Sequence, residues 1–262
     1  MLFTGSLATN LTWEAEPDGS RLQLFNTTGA MAAQIAGAEG VQFDMHEYSW
    51  IGRVAAEPST MVVAAEGEFD NFEDILAADR AVRFAATGPG SNEYVGAEFI
   101  GEVFDVPVEI VTGFEGSEEG RTAVLRGDVD AHISTLDAQL PGIEAGDYQS
   151  VLSFSAEPPV QLPDTPALLQ LELDDDQRQL GEALVAMLDT GRSLGGPPGM
   201  PAERLTFVRE AFEQAMSDPE LIAETEAQNR PLSYLSGEDL QEMIASVFDS
   251  PDAFQQLIES SY

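Results

Sequence analysis

The regular alternation of short apolar runs with amphipathic segments constrains this chain more than any other feature. Leu22–Phe25, Thr60–Ala64, Val82–Ala86, Val108–Thr112, Val129–Ile133 and Ser150–Ser155 read as strands. Asn71–Ala78, Asn92–Val103, Glu118–Arg126 and Asp137–Glu144 read as helices between them. Such alternation predicts an α/β fold. From Asp174 the pattern turns helical: Asp174–Thr190, Pro201–Met216, Pro219–Ala227, Gly237–Phe248 and Pro251–Glu259. Ser236 with Asp239 three residues on fits a capping box. Asp218-Pro219 and Ser250-Pro251 put a capping side chain before proline at the first helical position. Asp70 with Glu73 reads the same way. Gly195–Pro201 is dense in glycine and proline, so it reads as a linker that breaks both helix and strand. A weaker break falls at Ala65–Glu68.

Charge decides the expected surroundings. Forty-seven Asp and Glu residues face 11 basic ones, all arginine, for a formal charge of −36. That charge repels itself in dilute solution, whereas at molar salt the Debye length falls to about 3 Å and the repulsion is screened. A chain without lysine also lacks the long apolar stems that lysine brings to a surface. The composition therefore predicts a halophilic protein with an acidic surface. It excludes nucleic acid as a partner, because phosphate recognition needs clustered cations. With no cysteine, thiol catalysis, disulfides and cysteine metal sites are excluded. The segment Met1–Asn10 has neither the basic nor the long apolar region of a secretory signal. The longest apolar runs fall far short of a membrane span.

Ala85–Tyr94 is the most informative segment. A buried strand runs into Gly88-Pro-Gly90, and Ser91-Asn92 opens a helix. Free N–H groups and the positive end of the helix dipole suit an anion there, and glycine lets it approach closely. The same segment also describes a tight turn with Ser91 as a plain N-cap. It is neither a P-loop nor a dinucleotide loop, since no lysine follows and the glycine spacing differs. Phe114–Ser117 and Asn26–Gly29 repeat the strand–glycine–helix arrangement. Three such junctions lean toward a binding cleft at the carboxyl ends of strands.

Catalytic constellations are weakly supported. His46 and His132 lack metal-ligand spacing, and His132 lies in an apolar run that suits a core histidine. There is no nucleophile elbow and no calcium loop. With so many carboxylates, adjacent pairs carry no information about acid–base chemistry. Trp13 and Trp50 read as packing residues. No enzyme, metal or cofactor is expected.

Read in order, the segments resemble the substrate-binding receptors of tripartite tricarboxylate transporters, the TctC or Bug family. Glu16-Pro-Asp-Gly-Ser-Arg-Leu22, Asp44…Tyr48-Ser-Trp-Ile-Gly52, Gly88-Pro-Gly-Ser91, Thr112-Gly-Phe-Glu-Gly116, Leu125-Arg-Gly-Asp-Val-Asp130, Leu162-Pro-Asp-Thr-Pro166, Gly196-Pro-Pro-Gly-Met-Pro201 and Asp218-Pro219 follow the family's motifs collinearly. The resemblance implies a periplasmic-binding-protein-like (type II) α/β fold, two lobes with a ligand cleft between them. Lobe one would hold residues 1–64 and 195–262, and lobe two residues 65–194. It further implies a monomeric extracytoplasmic receptor that captures a small di- or tricarboxylate and docks on membrane transporter subunits. By position, Thr27, Thr28 and Gly29 would bind from lobe one. Gly88, Gly90, Ser91 and Asn92, with Ser134 and Asp137, would bind from lobe two. The family begins with a signal sequence, a strand and a glycine-rich loop, of which roughly sixty residues have no counterpart before Pro17. Alternatives remain: a receptor of another transporter class taking an amino acid or other carboxylated solute, an enzyme on a similar scaffold, or a non-functional truncated copy.

Overall fold

A computed structural model describes residues 4–56, 58–228, 230 and 232–262. In chain order the first elements are α1 (Thr4–Trp13), β1 (Gln23–Asn26), α2 (Thr27–Ile35), β2 (Ser49–Ala55), β3 (Ser59–Ala64), α3 (Phe72–Leu76), β4 (Val82–Ala86), α4 (Asn92–Phe104), β5 (Val108–Thr112) and α5 (Ser117–Arg126). There follow β6 (Ala131–Thr135), α6 (Leu136–Glu144), β7 (Tyr148–Phe154), α7 (Asp175–Asp189), β8 (Arg192–Gly196), α8 (Ala202–Met216), α9 (Pro219–Ala227), β9 (Leu235–Ser236), α10 (Gly237–Phe248) and α11 (Asp252–Ser260). The α/β class holds. The chain divides into two compact units, Met1–Glu57 with Ala186–Asp249, and Pro58–Val185 with Ser250–Tyr262.

The first unit is built on a four-stranded sheet in the order β1-β8-β2-β9. Its core is aromatic. Phe25 lies 4.9 Å from Tyr48 and 5.0 Å from Trp50, edge-on in both cases, and Trp13 closes on Tyr48 at 5.5 Å. The Tyr48 hydroxyl donates to the Thr9 carbonyl and the Trp50 indole to the Met45 carbonyl, so both buried polar tips are satisfied. Trp13 and Trp50 are packing residues, as their context suggested.

Gly195 and Gly196, read as linker, instead end β8, which is hydrogen-bonded on both sides. A Cβ at Gly195 would stand 3.0 Å from the Trp50 ring and 3.2 Å from Phe25. The glycine that looked like a strand breaker is there to let two rings approach the backbone. β2 and α1 were not read from the pattern at all; α1 is rich in threonine and carries no charged residue.

The second unit carries a five-stranded sheet in the order β5-β4-β6-β3-β7. β4 runs parallel to β5 and β6, whereas β3 is antiparallel to β6 and β7. The units divide at different points from the lobes expected at 1–64, 65–194 and 195–262. Ser59–Ala64 pairs with β6 and β7 and so belongs to the second sheet. α11 also joins this unit, where the Ser260 and Ser261 hydroxyls donate to Glu98 of α4. α4 ends on Asp105 at φ 54° and α5 on Gly127 at φ 73°, both left-handed C-caps. Ser236 and Asp218 cap α10 and α9 as read. Asn71, not Asp70, caps α3, and the buried Ser250 hydroxyl caps nothing.

At the amino-terminal end of β4, Asp130 gathers two arginines. Its side chain is 8% exposed and accepts from Arg80, from Arg83 and from the Arg83 backbone N–H. Burial pushes its pKa up, but hydrogen bonds from Arg80 and Arg83 outweigh this and hold it at about 2. The Arg83 guanidinium also donates to the Asp128 and Gly127 carbonyls, closing the turn after α5.

Candidate functional site

Parallel strands that each lead into a helix put several helix starts at one end of a sheet. In the second unit α4, α5 and α6 all begin at the carboxyl ends of β4, β5 and β6, which are adjacent in the order β5-β4-β6. Ser91 caps α4 by accepting from the Tyr94 N–H at 3.3 Å. Neither Gly116 before α5 nor Thr135 before α6 makes a side-chain cap bond. The first-turn N–H groups of Asn92, Glu93, Ser117 and Glu118 have no partner within their helices.

A hydroxyl relay ties these starts together. Ser134 lies 2.9 Å from Ser117, and Ser117 donates to Glu93 at 3.2 Å. An ionised carboxylate only accepts and each hydroxyl has one proton, so Ser134 donates to Ser117 and Ser117 to Glu93. Beneath this relay His132 is 1% exposed, in the core position its context suggested. Its Nδ1 faces the Ala85 carbonyl at 3.2 Å, which makes Nδ1 the donor and leaves a lone pair on Nε2 without a partner. Burial lowers the imidazole pKa, so the ring is neutral. Gly120 of α5 sits flat against it: a Cβ there would approach the ring at 3.0 Å.

The residues singled out from the sequence fall into two groups. Gly88, Gly90, Ser91, Asn92, Ser134 and Asp137 lie in the second unit, at the starts of α4 and α6. Gly88 accepts from the Ser91 N–H, so that amide is used within the turn. Gly90, at φ 76°, donates its N–H to the Ser261 carbonyl at 2.6 Å, and the Tyr262 ring lies where a side chain would project. Burial pushes the Tyr262 phenol pKa up to about 12. Asp137 is exposed and its carboxylate accepts from the Ala138 N–H.

Thr27, Thr28 and Gly29 lie in the first unit, where Asn26 caps α2 by accepting from Gly29 at 3.3 Å. Thr28 donates to the Met187 carbonyl. The Thr27 hydroxyl is fully buried and has no partner. Glu93 and Ser117 were not singled out. Their sequence signal, an acid and a serine each in the first turn after a glycine loop, is common to most helix starts.

Among the described residues no group of three or more His, Asp or Glu side chains is placed to hold a metal ion. An open depression at the start of α5 is lined by Glu115, Glu118, Glu119, Thr122 and Arg126, and its three carboxylates disfavour an anion. No described helix is long and apolar enough to cross a membrane.

Residues 4–257 match the family described as the tripartite tricarboxylate transporter family receptor, TctC. No curated protein matches the chain. Among solved structures, a TctC solute binding protein from Polaromonas without ligand superposes with a TM-score of 0.79 at 18% identity, over 98% of this chain and 84% of that one. MatC from Rhodopseudomonas palustris with bound malate gives 0.71 at 16% identity, over 99% and 86%. An R. palustris protein with adipate gives 0.72 at 16% identity, over 98% and 83%. These likenesses show the fold, that of periplasmic-binding-protein-like TctC structures.

Proposed function

The chain belongs to the tripartite tricarboxylate transporter receptor family, whose members are substrate-binding receptors and not enzymes, and from that premise we propose that it captures a small di- or tricarboxylate outside the cytoplasm for a membrane transporter. The convergence of three helix starts at the carboxyl ends of β4, β5 and β6 carries this reading. Oriented amides hold a carboxylate without a cation, which suits a chain with no lysine. Within the first unit, taken by itself, the Thr27 hydroxyl is buried without a partner, an unmet group that a water or a small polar molecule would satisfy. Malate in MatC and adipate in the other R. palustris protein are ligands of the same class.

The test is thermal unfolding in molar salt with a panel of malate, adipate and tricarboxylates. A ligand at one hundred times its Kd adds about 2.7 kcal/mol of stability and raises the melting temperature accordingly. A melt shifted by amino acids or sugars and by no di- or tricarboxylate would sink the proposal.

Glu93 favours a second reading, that of an amino acid. Its carboxylate sits among the helix starts, where it would repel one end of a dicarboxylate and attract an ammonium. Glu93→Gln separates the two: dicarboxylate affinity rises in the first reading, and amino-acid affinity falls in the second.

We also propose that the protein works in concentrated salt. The support is its charge of −36 together with the absence of lysine.

A further inference from the structure

One face of the second sheet carries polar side chains that its protein neighbours do not satisfy. Val62 packs with Ala123 and Val124 of α5, with Tyr148 and with Ile143 of α6, so both helices cover the same face. By alternation and register that face also bears Thr60 of β3, His132 and Ser134 of β6, and Ser150 of β7. α6 lies over β3, β6 and β7, and its buried residues are Leu136 and Gln139. Gln139 stands one turn before Ile143 and is 0% exposed, which aims its amide into this face.

Neither Nε2 nor Oε1 of that amide has a partner, and His132 Nε2 is a third unmet atom on the same face. A buried amide left unmet costs more than its bonds would gain. The hydroxyls nearby have no protons to spare. Thr60 donates to the Leu152 carbonyl at 2.9 Å, so Ser150 donates to Thr60, while Ser134 donates to Ser117. The oxygens of Ser134 and Ser150, His132 Nε2 and Gln139 Oε1 are all left to accept. Of the groups just named, only Gln139 Nε2 has protons to give. An anion would bring further acceptors, and a cation would be stripped of its water beside a neutral histidine. Water, with two protons and two lone pairs, corrects the imbalance.

α6 is opened at the same turn. Pro141 has no N–H, so the Asp137 carbonyl lacks the donor that an uninterrupted helix would give it. A break in the helical ladder is a place where water inserts.

We propose that the α5–α6 face of the second sheet encloses a site for ordered water, held between the Gln139 amide and the polar atoms of Ser134, Ser150 and His132. Water there accepts from Gln139 Nε2 and donates to Gln139 Oε1 and to the acceptors on the strands. Ser134 belongs both to this set and to the relay through Ser117 to Glu93, so the water continues that relay from the helix starts into the core. The site exists whatever the helix starts bind.

Magnetic relaxation dispersion of water oxygen-17 detects solvent held inside a protein, and Gln139→Met keeps the length of the side chain while removing both polar ends. The expected result is loss of at least one long-lived water relative to wild type, together with a lower urea midpoint. Gln161→Met, at an exposed position of the same unit, leaves both unchanged. Equal dispersion in wild type and Gln139→Met would overturn the proposal. So would a raised midpoint, which is what removing a dry, unmet amide gives. Crystals of the wild type give a reading that holds even if Gln139→Met folds poorly. Solvent oxygens about 3 Å from both ends of the amide support the site, whereas an amide that is dry or bonded to protein atoms overturns it.

Discussion

Replacing Asp130 by asparagine should cost the second unit more stability than any exposed charge change. Asp130 is 8% exposed, and its two guanidinium partners are 36% and 34% exposed at the side chain. Its carboxyl is held from 3.8 down to about 2, and linkage turns such a depression into about 2 kcal/mol of stability at neutral pH. A carboxyl whose folded pKa is depressed contributes fully above its unfolded pKa. The contribution is then lost as pH falls from about 4 toward 2. The amide that Asp130→Asn introduces keeps the shape, but it turns an N–H₂ toward guanidinium donors and leaves two half-buried cations without their anion. Removing one partner of a buried pair costs about 3–5 kcal/mol, and partial exposure of both arginines brings the expectation here to about 2–3. Urea unfolding in molar salt at neutral pH reads this as a lower midpoint with an unchanged slope. The variant should also lose the part of the acid-induced drop that lies between pH 4 and 2, by about the same energy. The comparison variant is Glu68→Gln, which touches the same Arg80 from a side chain 63% exposed and should shift stability by under about 0.5 kcal/mol. If Asp130→Asn and Glu68→Gln prove equal, or if the acid limb of the wild type persists in Asp130→Asn, the Asp130 cluster is not the anchor described.

Gly195→Ala should destabilise the first unit by about 1–3 kcal/mol, since its Cβ would press on the Trp50 and Phe25 rings; urea titration with tryptophan emission reports it. Gly90→Ala should unfold at lower temperature by calorimetry, because position 90 sits at φ 76° and its Cβ would fall within 2.6 Å of the Tyr262 ring. Thr27→Val removes a buried hydroxyl that has no partner, so the unfolding midpoint in urea should move by less than about 0.5 kcal/mol. Raising salt from tenth-molar to molar should raise the unfolding midpoint steadily, and a midpoint that is flat or falls over that range would contradict the halophilic reading.

How much of this was legible in the sequence depends on the range over which each feature is decided. Strand β4 and helices α4, α8 and α9 follow from local pattern and caps, and the structure places them within a residue or two of the reading. β8 was lost because Gly195 serves a contact with the rings of Trp50 and Phe25, well over one hundred residues earlier, which no window along the chain contains. The same applies to α11: its place beside α4 rests on bonds from Ser260 and Ser261 to Glu98, 162 and 163 residues away. At the candidate site, individual helix starts were readable from glycine and serine. The relay from Ser134 through Ser117 to Glu93 was not, because it exists only once the strand order β5-β4-β6 sets three helix starts side by side.

The order β1-β8-β2-β9 also bears on synthesis. β1 and β2 leave the ribosome early, yet they are not neighbours; the strand that belongs between them ends at residue 196. Until then Phe25 and Trp50 have their own strands but no sheet, while all five strands of the second sheet, β3 to β7, lie between Pro58 and Val185. A nascent chain paused shortly before residue 192 would therefore carry a finished second sheet behind an aromatic segment still waiting for its central strand. That interval is the stretch of its life in which this protein most needs a chaperone.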